Sequence, residues 1–156
     1  MLDTPIGVLR ILASERGLRR VMLPGDTDAV SLPTVSDVGN QIEANAARQL
    51  TSYFNGERTE FDLPLDLVGT EFQIAVWTAL ATVPFGERIS YKTQAARVGR
   101  PKAVRAVGGA NGRNPIPIIL PCHRVVGANG QLTGYSGGVV IKEALLRLEA
   151  EVVGSW

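Results

Sequence analysis

Residues 118–126 read Ile-Ile-Leu-Pro-Cys-His-Arg-Val-Val, and they hold the only cysteine and the only histidine of a 156-residue chain, side by side. A thiol next to an imidazole has the parts of a nucleophile and its base. A lone cysteine reached from a buried apolar strand can equally be a small core side chain. Positive neighbours lower a thiol pKa and apolar burial raises it, so Cys122 and His123 alone leave both readings open. One cysteine makes no internal disulfide, which points to a reducing, cytoplasmic setting. One Cys and one His cannot build a structural zinc site without several carboxylates, so we expect neither metal nor cofactor.

The charge distribution favours chemistry on a polyanion. The net charge of +1 hides two unequal halves: residues 1–70 carry 6 basic and 10 acidic side chains, and residues 71–156 carry 10 and 5. Between Arg88 and Lys142 there is no acidic residue, while Arg88, Lys92, Arg97, Arg100, Lys102, Arg105, Arg113, Arg124 and Lys142 are basic. Such a stretch suits a nucleic acid. The 45% hydrophobic and 20% charged content is that of a globular protein. No apolar run is long enough to span a bilayer, and the N-terminus lacks the regions of a signal peptide, so no membrane partner is expected.

The elements that must position the pair follow from periodicity and turn chemistry. Residues 4–12 and 18–23 read as strands separated by a turn at Gly17. Asp37 can cap a helix to about Phe54, with Ile42, Ala46, Gln49, Leu50 and Tyr53 facing inward and Asn55-Gly56 ending it. Residues 61–67 alternate as a half-buried strand. Gly69-Thr70 opens a second unit, with domains expected at 1–68 and 69–156. Thr70 caps a helix bearing Phe72, Val76, Trp77 and Leu80 on one face, which ends before Pro84. Ser90 caps a short helix to about Val98, and Pro101 begins another from Lys102 to about Ala110. Two short helices about a Gly-containing turn, inside the basic stretch, have a helix-turn-helix pattern. The second places Arg105, Gly108 and Gly109 on one face, which suits close approach to a narrow groove and an inserted arginine. Asn129-Gly130 marks a turn. A last helix, from about Val140 to Glu151, has Ile141, Ala144, Leu145 and Leu148 as its apolar stripe, and Glu149 falls beside that stripe as a surface carboxylate would. The class is α+β.

Five spaced segments together resemble one family. Gly86-Glu87-Arg88-Ile89-Ser90-Tyr91, Arg105-Ala106-Val107-Gly108-Gly109-Ala110, Asn114-Pro115-Ile116-Pro117-Ile118, Pro121-Cys122-His123-Arg124-Val125 and Gly134-Tyr135-Ser136-Gly137-Gly138 are similar to the motifs of the O6-alkylguanine-DNA alkyltransferases, in order. The resemblance covers roughly residues 70–150 strongly; 4–67 match more loosely through Thr4-Pro5-Ile6-Gly7 and Tyr53-Phe54-Asn55-Gly56. It implies an RNase-H-like N-terminal domain that serves as scaffold, and a winged-helix-like C-terminal domain that binds double-stranded DNA carrying O6-alkylguanine. No obligate protein partner is implied. Some relatives bind zinc in the first domain through Cys and His, and this chain has neither residue there.

Residue by residue, the resemblance implies that Cys122 is the nucleophile and His123 its base, acting through a water. It implies that Glu149 orients His123, that Asn114 braces the active-site turn and that Tyr91 donates to the leaving guanine. Arg105 would fill the gap left by a flipped base. Tyr91, Ala106, Gly108, Gly109, Arg113, Lys102 and Arg124 would contact DNA. Pro117, Val125, Tyr135, Ser136 and Gly137 would line the base pocket. The implied activity is irreversible alkyl transfer from O6-alkylguanine, and from O4-alkylthymine, to Cys122, once per molecule, because no second thiol resolves the thioether. The alternatives are a winged-helix DNA-binding protein without chemistry and a cysteine hydrolase built on Cys122 and His123.

Overall fold

The structure, a computed structural model, describes residues 1–26, 36–132, 135 and 138–155. It divides into two compact units, Met1–Val68 and Gly69–Trp156.

The first unit is an antiparallel sheet, β1 (Leu2–Thr4), β2 (Gly7–Ala13) and β3 (Leu18–Met22) in that order, with helix α1 (Asp37–Phe54). Residues 4–12 are therefore not one strand. Pro5 and Ile6 form a turn, Gly7 takes φ +114°, and the Thr4 hydroxyl donates to the Gly7 carbonyl at 2.7 Å, so the chain folds back on itself. Ser36 caps α1 in place of the expected Asp37: its Oγ accepts from Gly39 N–H at 3.0 Å, and Asp37 sits in the first turn, where the helix dipole favours an anion. Asn55 and Gly56 (φ +75°) end the helix as expected.

Residues 61–67 run extended but form no strand. They touch β3 through a parallel bridge, with Leu18 N–H donating to Pro64 O at 2.8 Å and Asp66 N–H to Leu18 O at 2.9 Å. The buried Gln49 amide completes the pairing, donating to Asp62 O and accepting from Asp62 N–H, each at 2.9 Å. A side chain thus stands where a ladder partner would be. Leu9, Leu18, Val21, Leu50 and Tyr53 form the core of this unit.

The second unit begins with α2 (Glu71–Leu80). Thr70 and Gln73 form a reciprocal capping box there. A short strand β4 (Ile89–Ser90) leads into α3 (Tyr91–Arg97), capped by Ser90 and stopped at Gly99 (φ +75°). Helix α4 spans Val104–Gly112. It starts later than the sequence pattern predicts, because Pro101 and Lys102 form a turn closed by Ala103 N–H to Arg100 O at 2.9 Å, and it runs straight through Gly108 and Gly109. Strand β5 (Val125–Val126) pairs with β4 in parallel, and α5 (Val139–Gly154) closes the unit. Val76, Leu80, Val107, Ile116, Ile118 and Leu145 are its core. No helix among the described residues is long and apolar enough to cross a membrane.

Candidate active site

The route to Cys122 is a set of turns and not the expected strand. Leu120 N–H donates to Ile116 O at 2.9 Å, and Ile118 takes φ +75°, which a β-branched residue adopts only when its surroundings impose it. Asn114 supplies the constraint. Its Nδ2 donates to Leu120 O at 2.8 Å, its Oδ1 accepts from Ile116 N–H at 3.0 Å, and its own N–H donates to Asn111 O at 3.1 Å. Cys122–Arg124 then form a single 3-10 turn. Side chains one residue apart diverge in such a turn, so Cys122 and His123 point different ways without any strand alternation.

His123 is fully buried, and its Nε2 lies 2.5 Å from Glu149 Oε2. A carboxylate accepting at Nε2 holds the proton there and leaves the lone pair on Nδ1. Nδ1 is buried and has no hydrogen-bond partner among the described residues. Burial pushes the His123 pKa below its usual range, against the pull of Glu149, so the imidazole is neutral at rest.

Glu149 belongs to the interior, not the surface. It is 1% exposed, and its Oε1 accepts from Arg124 Nε at 2.9 Å and from Gly86 N–H at 3.1 Å. Its Oε2 also accepts from Arg124 NH2, at 3.1 Å. Burial alone would raise its pKa; the His123 and Arg124 contacts outweigh that and lower it to about 2.

This arrangement corrects the reading of Arg124. Its third donor, NH1, goes to Val83 O at 2.7 Å and its guanidinium lies 5.5 Å from the centre of the Phe85 ring. With every side of the guanidinium engaged inside the fold, Arg124 is unavailable to a DNA phosphate.

Lys142 is the residue that sequence reasoning missed. It is 0% exposed; Nζ donates to Val125 O at 2.6 Å and reaches Tyr91 OH at 3.4 Å. The buried face of α5 is Lys142, Leu145, Leu146 and Glu149, one position round from the expected stripe. The signal was present as a Lys–Glu spacing of seven flanking Leu145, two charges on the face of an inward leucine. Burial lowers the Lys142 pKa, and the neighbouring thiol works against that.

Burial dominates the thiol. Desolvation pushes the Cys122 pKa up to about 11, against the Asn114 side chain and the Lys142 charge, which both favour the thiolate. At rest the sulfur is therefore a thiol, and any attack must be coupled to removal of its proton. Pro117, Val125 and Tyr135 are buried in the same unit, and the Tyr135 hydroxyl has no partner among the described residues. Ser136 and Gly137 lie outside the described residues. Among the described residues no three His, Cys, Asp or Glu are grouped to hold a metal.

The expected DNA-facing residues lie elsewhere on the unit. Arg105, Ala106, Gly109 and Arg113 are exposed on or just past α4, Lys102 is exposed in the preceding turn, and Tyr91 at the start of α3 is half-buried. Among the described residues a Cβ on Gly109 would meet nothing within 4 Å, and one on Gly108 only the Tyr91 ring at 3.9 Å. Packing against the described residues does not demand glycine at either position.

Two family models match the chain. The 6-O-methylguanine DNA methyltransferase DNA binding domain covers residues 71–151, and the ribonuclease-like domain of the same proteins covers residues 1–67. The chain belongs to the 6-O-methylguanine DNA methyltransferase family. A methylated-DNA–protein-cysteine methyltransferase of Methanosarcina barkeri is 45% identical over 96% of this chain and 94% of its own length. One of Mycobacterium bovis is 49% identical over 95% and 89%. The crystal structure of Mycobacterium tuberculosis OGT in complex with DNA superposes with a TM-score of 0.86, at 47% identity, over 97% of this chain and 91% of that one. Membership makes this chain a DNA-repair methyltransferase that moves an alkyl group from DNA to a cysteine of the protein.

Proposed function

We propose that the acceptor is Cys122, that the donor is O6-alkylguanine extruded from double-stranded DNA, and that each molecule reacts once. The observation that carries this reading is the geometry at His123: a neutral, buried imidazole whose Nε2 is held by Glu149 while Nδ1 has no hydrogen-bond partner among the described residues. Nδ1 takes the thiol proton through a water, and the imidazolium so formed is stabilised by the Glu149 carboxylate. The sulfur lone pair forms the S–C bond as the C–O6 bond breaks, and the bond pair leaves with guanine. Tyr91 protonates the leaving base, with Lys142 beside it to hold the hydroxyl and to stabilise the thiolate. A thiol pKa of about 11 leaves roughly one molecule in ten thousand ionised at pH 7. Transfer of the thiol proton to His123 is therefore uphill and has to be coupled to formation of the S–C bond.

Arg105 enters the minor groove and occupies the space of the flipped base, while the open face at Gly108 and Gly109 lets the α4 backbone approach. Seven exposed cations, Arg88, Lys92, Arg97, Arg100, Lys102, Arg105 and Arg113, face solvent in the stretch without acids, and contacts to phosphate make binding salt-dependent.

Intact-mass spectrometry after mixing with duplex DNA carrying O6-methylguanine tests the proposal. One added methyl per molecule, located at Cys122 and lost in Cys122→Ala, is expected. Tight DNA binding with unchanged mass would favour a binding protein, and repeated turnover of an ester would favour a hydrolase.

A further inference from the structure

Helices α3 and α4 enclose two amide side chains that the transfer chemistry does not use. Gln94 is 0% exposed and Asn111 is 3% exposed. Gln94 Nε2 donates to Asn111 Oδ1 at 3.1 Å, and Asn111 Nδ2 donates back to Gln94 Oε1 at 2.6 Å. Gln94 Nε2 also donates to the α2 carbonyl of Val76, at 3.3 Å. Leucine and methionine would fill these positions without the cost of burying two amide groups, so bulk alone does not account for the pair. Two opposed N–H···O bonds do what apolar contacts cannot: they fail if one helix slides or turns against the other. A polar side chain in an otherwise apolar seam sets register in just this way.

The register matters because of what each helix carries. Tyr91 opens α3, and Arg105 lies on α4. Asn111 O accepts from Asn114 N–H at 3.1 Å, and Asn114 braces the turn into Cys122 through Leu120 O. Trp77 Nε1 donates to Ala110 O at 2.8 Å and fastens the same turn of α4 to α2. A continuous set of hydrogen bonds thus runs from α2 through Gln94 and Asn111 to the approach of the sulfur.

We infer that the Gln94–Asn111 amide pair is a positioning device for transfer out of duplex DNA, holding the groove-facing helix α4 in the one register that brings an extruded base to Cys122. This rests on the alkyl-transfer reading above. The pair is buried and spends its hydrogen bonds on itself and on Val76 O, so it acts through the pose of α4 and through Asn114.

The test is the double variant Gln94→Leu/Asn111→Met, which replaces the amides by apolar groups of similar size. Two rates are read: methyl transfer from O6-methylguanine in duplex DNA, and modification of the sole cysteine by iodoacetamide without DNA. Transfer at saturating duplex should fall about tenfold, with iodoacetamide reactivity and the half-saturating DNA concentration within about twofold of the parent. Duplex transfer at the parent rate would overturn the inference, and so would an equal fall of both rates, which marks general loosening of the core. The single variant Gln94→Met is read the same way in case the double variant does not fold; a parental ratio of the two rates overturns the inference there too. If the parent transfers no methyl group while iodoacetamide still labels Cys122, the alkyl-transfer reading has failed instead.

Discussion

The two units bury different things. Among the described residues of Met1–Val68 the one fully buried polar side chain is Gln49, which pairs with backbone; in Gly69–Trp156 there are Gln94, Asn111, Asn114, His123, Arg124, Lys142 and Glu149. The first unit keeps its charges in half-exposed pairs such as Arg19 with Asp66 (3.8 Å) and Arg20 with Asp26 (3.2 Å). The second takes Arg124, Lys142 and Glu149 inside together with His123, where charge is expensive unless partnered. Stability alone does not call for that, since apolar residues of similar volume would hold a core as well. Buried charge in one unit and solvated charge in the other separate the part to which we assign the chemistry from the part we read as scaffold.

That contrast breaks most visibly at Glu149. Glu149→Gln leaves Arg124 buried without its counter-charge and His123 without its anchor. We expect a loss of about 3–5 kcal/mol in urea unfolding, and methyl transfer slower by about a hundredfold. A variant as stable as the parent at pH 7 would mean the cluster is incidental. The acid dependence follows from the same group. Its carboxyl is lowered from 4.5 to about 2 in the fold, so its stabilisation is present above about pH 4.5 and disappears as pH falls toward 2. This amounts to about 3 kcal/mol, and the Gln variant should lack that limb.

Lys142→Met sharpens the contrast by removing a cation and keeping its bulk. Transfer should slow about tenfold and stability drop by about 1–3 kcal/mol, because Val125 O loses its donor. The parental thiol, with its pKa near 11, should react with iodoacetamide faster at each pH step from 8 to 10. In Lys142→Met that profile should move to higher pH; a profile left in place would show that the cation does not reach the sulfur. Arg105→Ala, on the exposed face, should slow duplex repair about tenfold while leaving iodoacetamide labelling unchanged. Equal falls in both would remove its base-replacing role. The smallest effect belongs to the first unit. Asp66→Asn weakens the ion pair with Arg19 and the bond from Ser14 Oγ (2.6 Å), for about 1 kcal/mol or less. Its transfer rate should match the parent, and a slowed rate would give that unit a part in the chemistry.

Much of this was legible in the residues because it depends on near neighbours. Caps at Thr70 and Ser90, the stops at Asn55-Gly56 and Gly99, and the bounds of α1 and α3 are set within a few positions by side-chain bonds to backbone. The lone Cys122 and His123 and the acid-free stretch are properties of composition. Residues 61–67 misled because alternation describes a half-buried extended chain whether its partner is a strand or the Gln49 amide. Lys102 misled because Pro101 fits a helix start and a turn alike.

Order along the chain determined that a thiol, an imidazole and a run of cations would share one unit. Which charges point inward was left to tertiary structure, because the energy of a charge depends on what surrounds it. Arg124 sits among cations in sequence yet finds Glu149 in space, Lys142 finds Val125 O, and Glu149 becomes the centre of a cluster that reaches back to Gly86, 63 positions earlier in the chain. The thiol, too, takes its pKa from burial and from Asn114 and Lys142, none of which its immediate neighbours reveal.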